Sequence, residues 1–222
     1  MKSFRIPGFI AVLALSVQVV GGATTDVADA IERGDVAAAR VLLEKGGDVN
    51  AAQVDGATAL HWAVYRGDVT AVDLLLAAGA EVAAVNRAGV TPLSMAALFG
   101  HADMVDRLLK KGADAKALGP NGETMVMLAA RNGKPDVIRL LVEAGADVNA
   151  KEPLRGTTAL MWAVEQRNPA AVEALLAAGA DPAARSGGAG LPRNYIAPRV
   201  NTRAVEEAQR RRERAKAAGR TY

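Results

Sequence analysis

Apolar residues recur along this chain in two alternating clusters. The first reads Val27/Ala30/Ile31, Leu60/Ala63/Val64, Leu93/Ala96/Ala97, Val126/Ala129/Ala130 and Leu160/Ala163/Val164. The second reads Ala39/Leu42/Leu43, Val72/Leu75/Leu76, Val105/Leu108/Leu109, Ile138/Leu141/Val142 and Val172/Leu175/Leu176. Each cluster has the i, i+3, i+4 spacing that lays one apolar stripe along a short helix. The pattern therefore predicts five pairs of short helices. A glycine separates the helices of four pairs (Gly34, Gly67, Gly100, Gly133), and Arg167 stands in its place in the fifth. A further glycine closes every pair, at Gly46, Gly79, Gly112, Gly145 and Gly179. Glycine reaches positive φ without a Cβ penalty, which suits it to end a helix.

The pairs are also phased by a threonine ahead of each: Thr25, Thr58, Thr91, Thr124 and Thr158, in steps of 33, 33, 33 and 34 residues. A period near 33 is the signature of a stacked array, in which no unit buries its stripe alone and neighbours share one elongated core.

The motifs inside the period resemble those of the ankyrin repeat family. Thr58-Ala-Leu-His61-Trp-Ala and Thr91-Pro-Leu-Ser-Met-Ala are similar to its T-P-L-H-x-A signature, and Gly145-Ala-Asp-Val-Asn-Ala to its closing loop. The resemblance runs from about Thr25 to Ala184. It implies an all-α ankyrin repeat solenoid of about five helix-turn-helix units with β-turn loops, followed by a basic C-terminal tail. The units are expected at 24–52, 53–84, 85–117, 118–150 and 151–184. Departures are local. Only one unit keeps the signature His, Met125 stands where the family favours Pro, and the fifth unit has an extra residue in its leading loop, within Lys151–Gly156.

The ends differ from the array. Lys2 and Arg5 precede an apolar run from Phe9 to Val20, and Gly21 and Ala23 offer small residues for a cut after Ala23. Residues 1–23 therefore read as a signal peptide, with an uncleaved anchor as the alternative, though Gln18 interrupts the run and it falls short of a spanning helix. The simple leader and Ala-rich composition point to a bacterial periplasmic or secreted protein. The chain has no cysteine, which excludes disulfides, thiol chemistry and a lipoprotein anchor.

The net charge of +3 conceals a split. Residues 24–184 carry net −6 and residues 185–222 net +7, so the basic character belongs to the tail. That tail reads as a flexible linker at Ser186–Gly190, then a helical segment with Glu206 and Glu207 near its start and Arg210, Arg211, Arg212, Arg214 and Lys216 near its end, an order that suits the helix dipole. The first unit presents a polar outer side (Asp29, Glu32, Arg33, Arg40, Glu44, Lys45), as a terminal repeat should. The stretch Ala170–Ala178 of the last unit carries a single charge, so something is expected to cover it. The tail folding back is one answer. The tail also resembles linkers between two ankyrin arrays in bacterial exported proteins, which makes the interaction part of a longer, two-array protein another.

Nothing in the sequence builds a catalytic centre. His61 occupies the signature position, where the resemblance implies a role in holding its turn and the next unit, and His101 begins a second helix. Asp48, Asp114, Asp147 and Asp181 recur at one loop position, as capping groups would. No phosphate loop or nucleophile elbow is present, and no cofactor, metal or small-molecule substrate is expected.

The resemblance implies binding through a concave face made by the turn tips and the exposed side of each first helix. The chain has eight aromatics, and Trp62, Tyr65, Phe99 and Trp162 all fall on that face by phase. With Arg66, Leu98, Arg131 and Asn132 they form the expected contact surface for a protein partner, since clustered exposed aromatics and arginines are typical of interfaces. The two tryptophans also fit a second role as half-buried spacers between units. A separate expectation is that the basic residues Arg210–Arg212, Arg214 and Lys216 bind an anionic surface, whether membrane, lipopolysaccharide or nucleic acid.

Overall fold

A computed structural model describes residues 25–187. The leader at 1–23 and the basic tail beyond Gly187 lie outside the described residues. Ten helices run in chain order: α1 (Asp26–Arg33), α2 (Val36–Glu44), α3 (Ala59–Tyr65), α4 (Val69–Ala77), α5 (Pro92–Phe99), α6 (Ala102–Lys110), α7 (Met125–Arg131), α8 (Pro135–Glu143), α9 (Ala159–Glu165) and α10 (Pro169–Ala177). They are the five expected pairs. The odd-numbered helices pack neighbour on neighbour in one layer, and the even-numbered helices form a second layer behind them.

Each helix starts and stops for a local reason. Thr91, Thr124 and Thr158 accept from the backbone N–H three residues on, satisfying a donor that the first helical turn cannot use. Asp35 and Asp68 do the same for α2 and α4. Between the paired helices the chain turns through the left-handed region at Gly34, Gly67, Gly100 and Gly133. Arg167 follows the same path at φ 57, the only non-glycine with positive φ among the described residues.

The first apolar cluster is the central core. Ile31, Val64, Ala97 and Ala130 are all buried, as are the residues one turn before them. The second cluster is buried at its first two positions in units two to four, while its third position lies nearer the edge: Leu109 and Val142 are half-buried. Leu42 and Leu43 of the first unit are half-buried too, since no described residue stacks on that side of α1 and α2. The fifth unit departs from the expected core. Val164 is 59% exposed and Leu176 45% exposed, since no described residue stacks beyond α9 and α10.

The loops tie units together. Asn50 donates to the Gly79 carbonyl (3.3 Å) and accepts from the Glu81 amide (2.8 Å), and Asn149 does the same with Gly179 (3.1 Å) and Asp181 (2.8 Å). Asp48, Asp114, Asp147 and Asp181 each accept from the amide two residues on at 2.8 Å. They cap their own turns, which accounts for their recurrence with the period.

Candidate functional site

A line of aromatic rings runs across the ends of the first helices. Trp62 and Tyr65 meet edge to face with centroids 5.8 Å apart, and Tyr65 meets Phe99 of the next unit at 5.9 Å. Phe99 in turn lies 5.9 Å from the His101 ring. Tyr65 ends α3, and Phe99 ends α5 one residue past the position equivalent to Tyr65, which Leu98 holds; the two rings come from the ends of successive first helices. Tyr65 is 58% exposed and Phe99 40% exposed, while Leu98 beside them is half-buried. Edge-to-face contact orients the rings, and both keep a solvent-exposed part.

Trp62 is half-buried and anchored. Its indole N–H donates to the Gln53 side chain (2.6 Å), whose amide donates to Asp29 (2.6 Å) and Glu32 (2.8 Å). Asp29, expected on the outer side of the first unit, instead lines an open groove together with Glu32, Gln53, Asp55, Trp62 and Arg87. The physical reason is the Gln53 amide, which supplies donors to both carboxylates. Gln53 carries no period of its own, so sequence phase gave it no role.

Trp162 stands apart from this line. Its indole N–H donates to the Thr157 hydroxyl (2.8 Å), and the Arg155 guanidinium lies 6.0 Å from its ring. Together with the exposed Arg131 they line a smaller groove that also includes Glu165. The side expected to be concave thus carries an acidic groove at units one to three, an exposed aromatic centre, and an arginine-bordered groove at units four and five.

Arg66 and Asn132 have work inside the array. Arg66 donates to the Glu32 carbonyl (3.1 Å), and Asn132 donates to the Leu98 carbonyl. Asn168 repeats the device with the carbonyls of Ala130 (3.2 Å) and Arg131 (2.9 Å). All three donate to carbonyls at the end of a preceding first helix, where the helix itself leaves acceptors short of partners; the Ala130 carbonyl also accepts from the Gly133 amide (3.2 Å). Both Arg66 and Asn132 remain exposed along the rest of their surface.

The turn tips divide in the same way. Val54 is fully open to solvent, but Glu123 is buried and accepts from the Asn121 amide (2.8 Å) within its own hairpin. Glu152 is buried as well, and its carboxylate accepts from the amides of Leu154 (2.6 Å), Arg155 (2.8 Å) and Thr157 (3.2 Å) and from the Thr157 hydroxyl (2.8 Å). Burial pushes its pKa up, and these four donors more than offset that, so the carboxyl titrates below its ordinary value. Glu152 was missed by sequence reading; the extra residue in that hairpin was its only signal.

His61 and His101 differ in setting. His61 is buried at the head of α3, with hydrogen bonds on both ring nitrogens. His101 lies over Gly67 and beneath Phe99, and partial burial together with Lys134 pulls its pKa down. Among the described residues no group of three His, Asp or Glu side chains is arranged to hold a metal ion, and no helix is long and apolar enough to cross a membrane.

Comparison with known proteins adds one positive finding. The family model described as ankyrin repeats (3 copies) matches residues 27–118 and 93–186. No curated protein matches the chain.

Proposed function

The chain belongs to the ankyrin repeat family, and on that premise we propose that it is a non-catalytic module that holds a protein partner on its concave face in the bacterial cell envelope. Ankyrin repeats are in general protein–protein interaction modules, and such modules typically carry no catalysis. The observation that carries the finer reading is the Tyr65–Phe99 pair: two large rings from adjacent units, in contact with each other and open to solvent. Trp62, Arg66, Leu98, Arg131, Asn132 and Trp162 complete the proposed surface. The array is preformed, so little ordering cost opposes binding. The envelope address, periplasmic or secreted, is supported by the charged and apolar leader with small residues before the cut after Ala23.

The test is a crosslinked capture from envelope extract with the full chain as bait. It is compared with Tyr65→Ala/Phe99→Ala and with a chain in which Arg210, Arg211, Arg212, Arg214 and Lys216 are all alanine. Loss of one protein in the aromatic double variant alone supports the concave face. Loss only in the tail variant, with release by salt, replaces this reading with binding of an anionic surface through the tail.

A further inference from the structure

The exposed Tyr65–Phe99 pair borders a groove of different character. The Trp62 ring meets Tyr65 edge to face at 5.8 Å, and Trp62 also lines the open groove with Asp29, Glu32, Asp55 and Arg87. An apolar surface and a charged groove thus share one tryptophan as their boundary.

Three carboxylates and one guanidinium line the groove, so its net charge is negative. The ion pairs among the described residues all lie elsewhere. Asp29 and Glu32 face a neutral donor instead: the Gln53 amide nitrogen reaches both, at 2.6 and 2.8 Å. That amide orients the two carboxylates without cancelling either charge. Like charges held side by side repel, and a cation set against both converts the repulsion into attraction. Asp29 is half-buried, where water and salt screen its charge less than at a fully exposed site.

Trp62 narrows the chemistry further. Its indole N–H is already given to the Gln53 side chain at 2.6 Å. What remains to it is the ring, and an indole ring attracts cations. A guanidinium suits this setting better than an ammonium does. It is planar, stacks on aromatic rings, and presents several N–H donors in a fixed fork that serves two carboxylate oxygens at once.

We infer, resting on the reading of Tyr65 and Phe99 as a contact surface, that the protein partner inserts an arginine against Asp29, Glu32 and Trp62, next to a large apolar side chain that covers the Tyr65–Phe99 pair. Charge complementarity decides between occupants. An acidic segment could cover the rings, but its charge would meet the carboxylates and be repelled, whereas a segment with arginine beside its apolar anchor satisfies both halves of the surface.

The test selects a library of random short peptides displayed on phage against the immobilised full chain. Recovered peptides are synthesised, and their affinities are measured by fluorescence anisotropy for the parent chain and three variants. These are Asp29→Asn/Glu32→Gln, Tyr65→Ala/Phe99→Ala and, as a control, Glu143→Gln/Glu173→Gln, which removes two charges from exposed positions on α8 and α10. The expected peptides carry arginine beside an aromatic residue or leucine. Asp29→Asn/Glu32→Gln should weaken them by about tenfold or more, and so should glutamine in place of the peptide's arginine. The control should leave affinity nearly unchanged. Because the change in the peptide leaves the protein untouched, it decides the matter even if the charge variant disturbs Gln53. Peptides that lack arginine, or that bind equally well with glutamine in its place, overturn the inference. If they are still lost in Tyr65→Ala/Phe99→Ala, the contact surface stands without its arginine site. Indifference to both the charge variant and the aromatic variant overturns the inference and the contact surface together.

Discussion

The His61 ring joins two repeat units: its Nε2 lies 3.0 Å from the Val90 carbonyl in the hairpin of the next unit. Its Nδ1 accepts from the Thr58 amide at 3.2 Å, which leaves the ring proton on Nε2 to be donated to Val90. A charged ring would carry a proton on Nδ1 and lose the Thr58 bond. Burial lowers the pKa of His61 from its ordinary 6.5, with the Val90 carbonyl and Asp55 pulling the other way. A histidine whose folded pKa is depressed is protonated first in the unfolded chain. Its contribution is constant above the unfolded value near 6.5 and falls as pH drops below that, at a rate bounded by about 1.4 kcal/mol per pH unit for one proton.

His61→Ala removes both bonds at once: the buried Thr58 amide loses its acceptor, while the half-buried Val90 carbonyl keeps only the Asn86 amide (3.0 Å). The expected loss is about 1–3 kcal/mol. Urea unfolding at pH 8 measures it. The same titration repeated toward pH 5 should show a shallower decline in the variant than in the parent chain.

Glu152 sets a second, more acidic step. Its carboxylate is buried and holds four donors of the fifth hairpin, and its pKa is depressed. A depressed carboxylate stabilises the fold above its unfolded value of 4.5 and loses that contribution as pH falls through its folded value. Glu152→Gln should cost about 1–3 kcal/mol at neutral pH, because an amide cannot accept from all four donors. It should also remove the step below pH 4.5, as read by acid unfolding followed by circular dichroism.

The array itself was legible in the sequence because one period governs the helix stripes, the caps and the turns together. Thr91, Gly100 and Leu108 each mark a position whose backbone or packing demand recurs in every unit. The exposed pair Tyr65 and Phe99 was legible for the same reason, since phase alone puts them on adjacent units. What escaped were side chains whose partners come from outside the period. Gln53 holds Asp29 and Glu32 together in one groove, and Glu152 fills a hairpin that its own extra residue enlarges. Arg66 and Asn132 looked like contact residues only; their donors also close the carbonyl ends of preceding helices, a need the stripe pattern does not register.

Core truncation should behave as in a linear array. Leu75 and Leu108 are each 0% exposed in the middle of the stack. Leu75→Ala and Leu108→Ala are each expected to cost about 2–5 kcal/mol. Leu42→Ala, at a half-buried position in the first unit, should cost less. Denaturant unfolding of the three variants side by side checks the order, and equal losses would contradict the shared-core account.

Arg167 offers the opposite sign. The other four units place glycine between their helices, and Arg167 makes the same turn with φ 57. A residue with a Cβ pays roughly 1–2 kcal/mol for that conformation, and the Arg167 side chain is exposed. Glycine in its place relieves the strain, while the looser unfolded chain takes back part of the gain. Arg167→Gly should therefore raise stability by about 0.5–1 kcal/mol. Gly67→Ala, at φ 70 in the second unit, should lower it by about 1 kcal/mol or more, because the same strain is then introduced. Thermal unfolding of both variants decides the matter: a melting temperature raised by Arg167→Gly and lowered by Gly67→Ala is expected, and a fall in both would mean that Arg167 makes a contact worth more than the strain it bears.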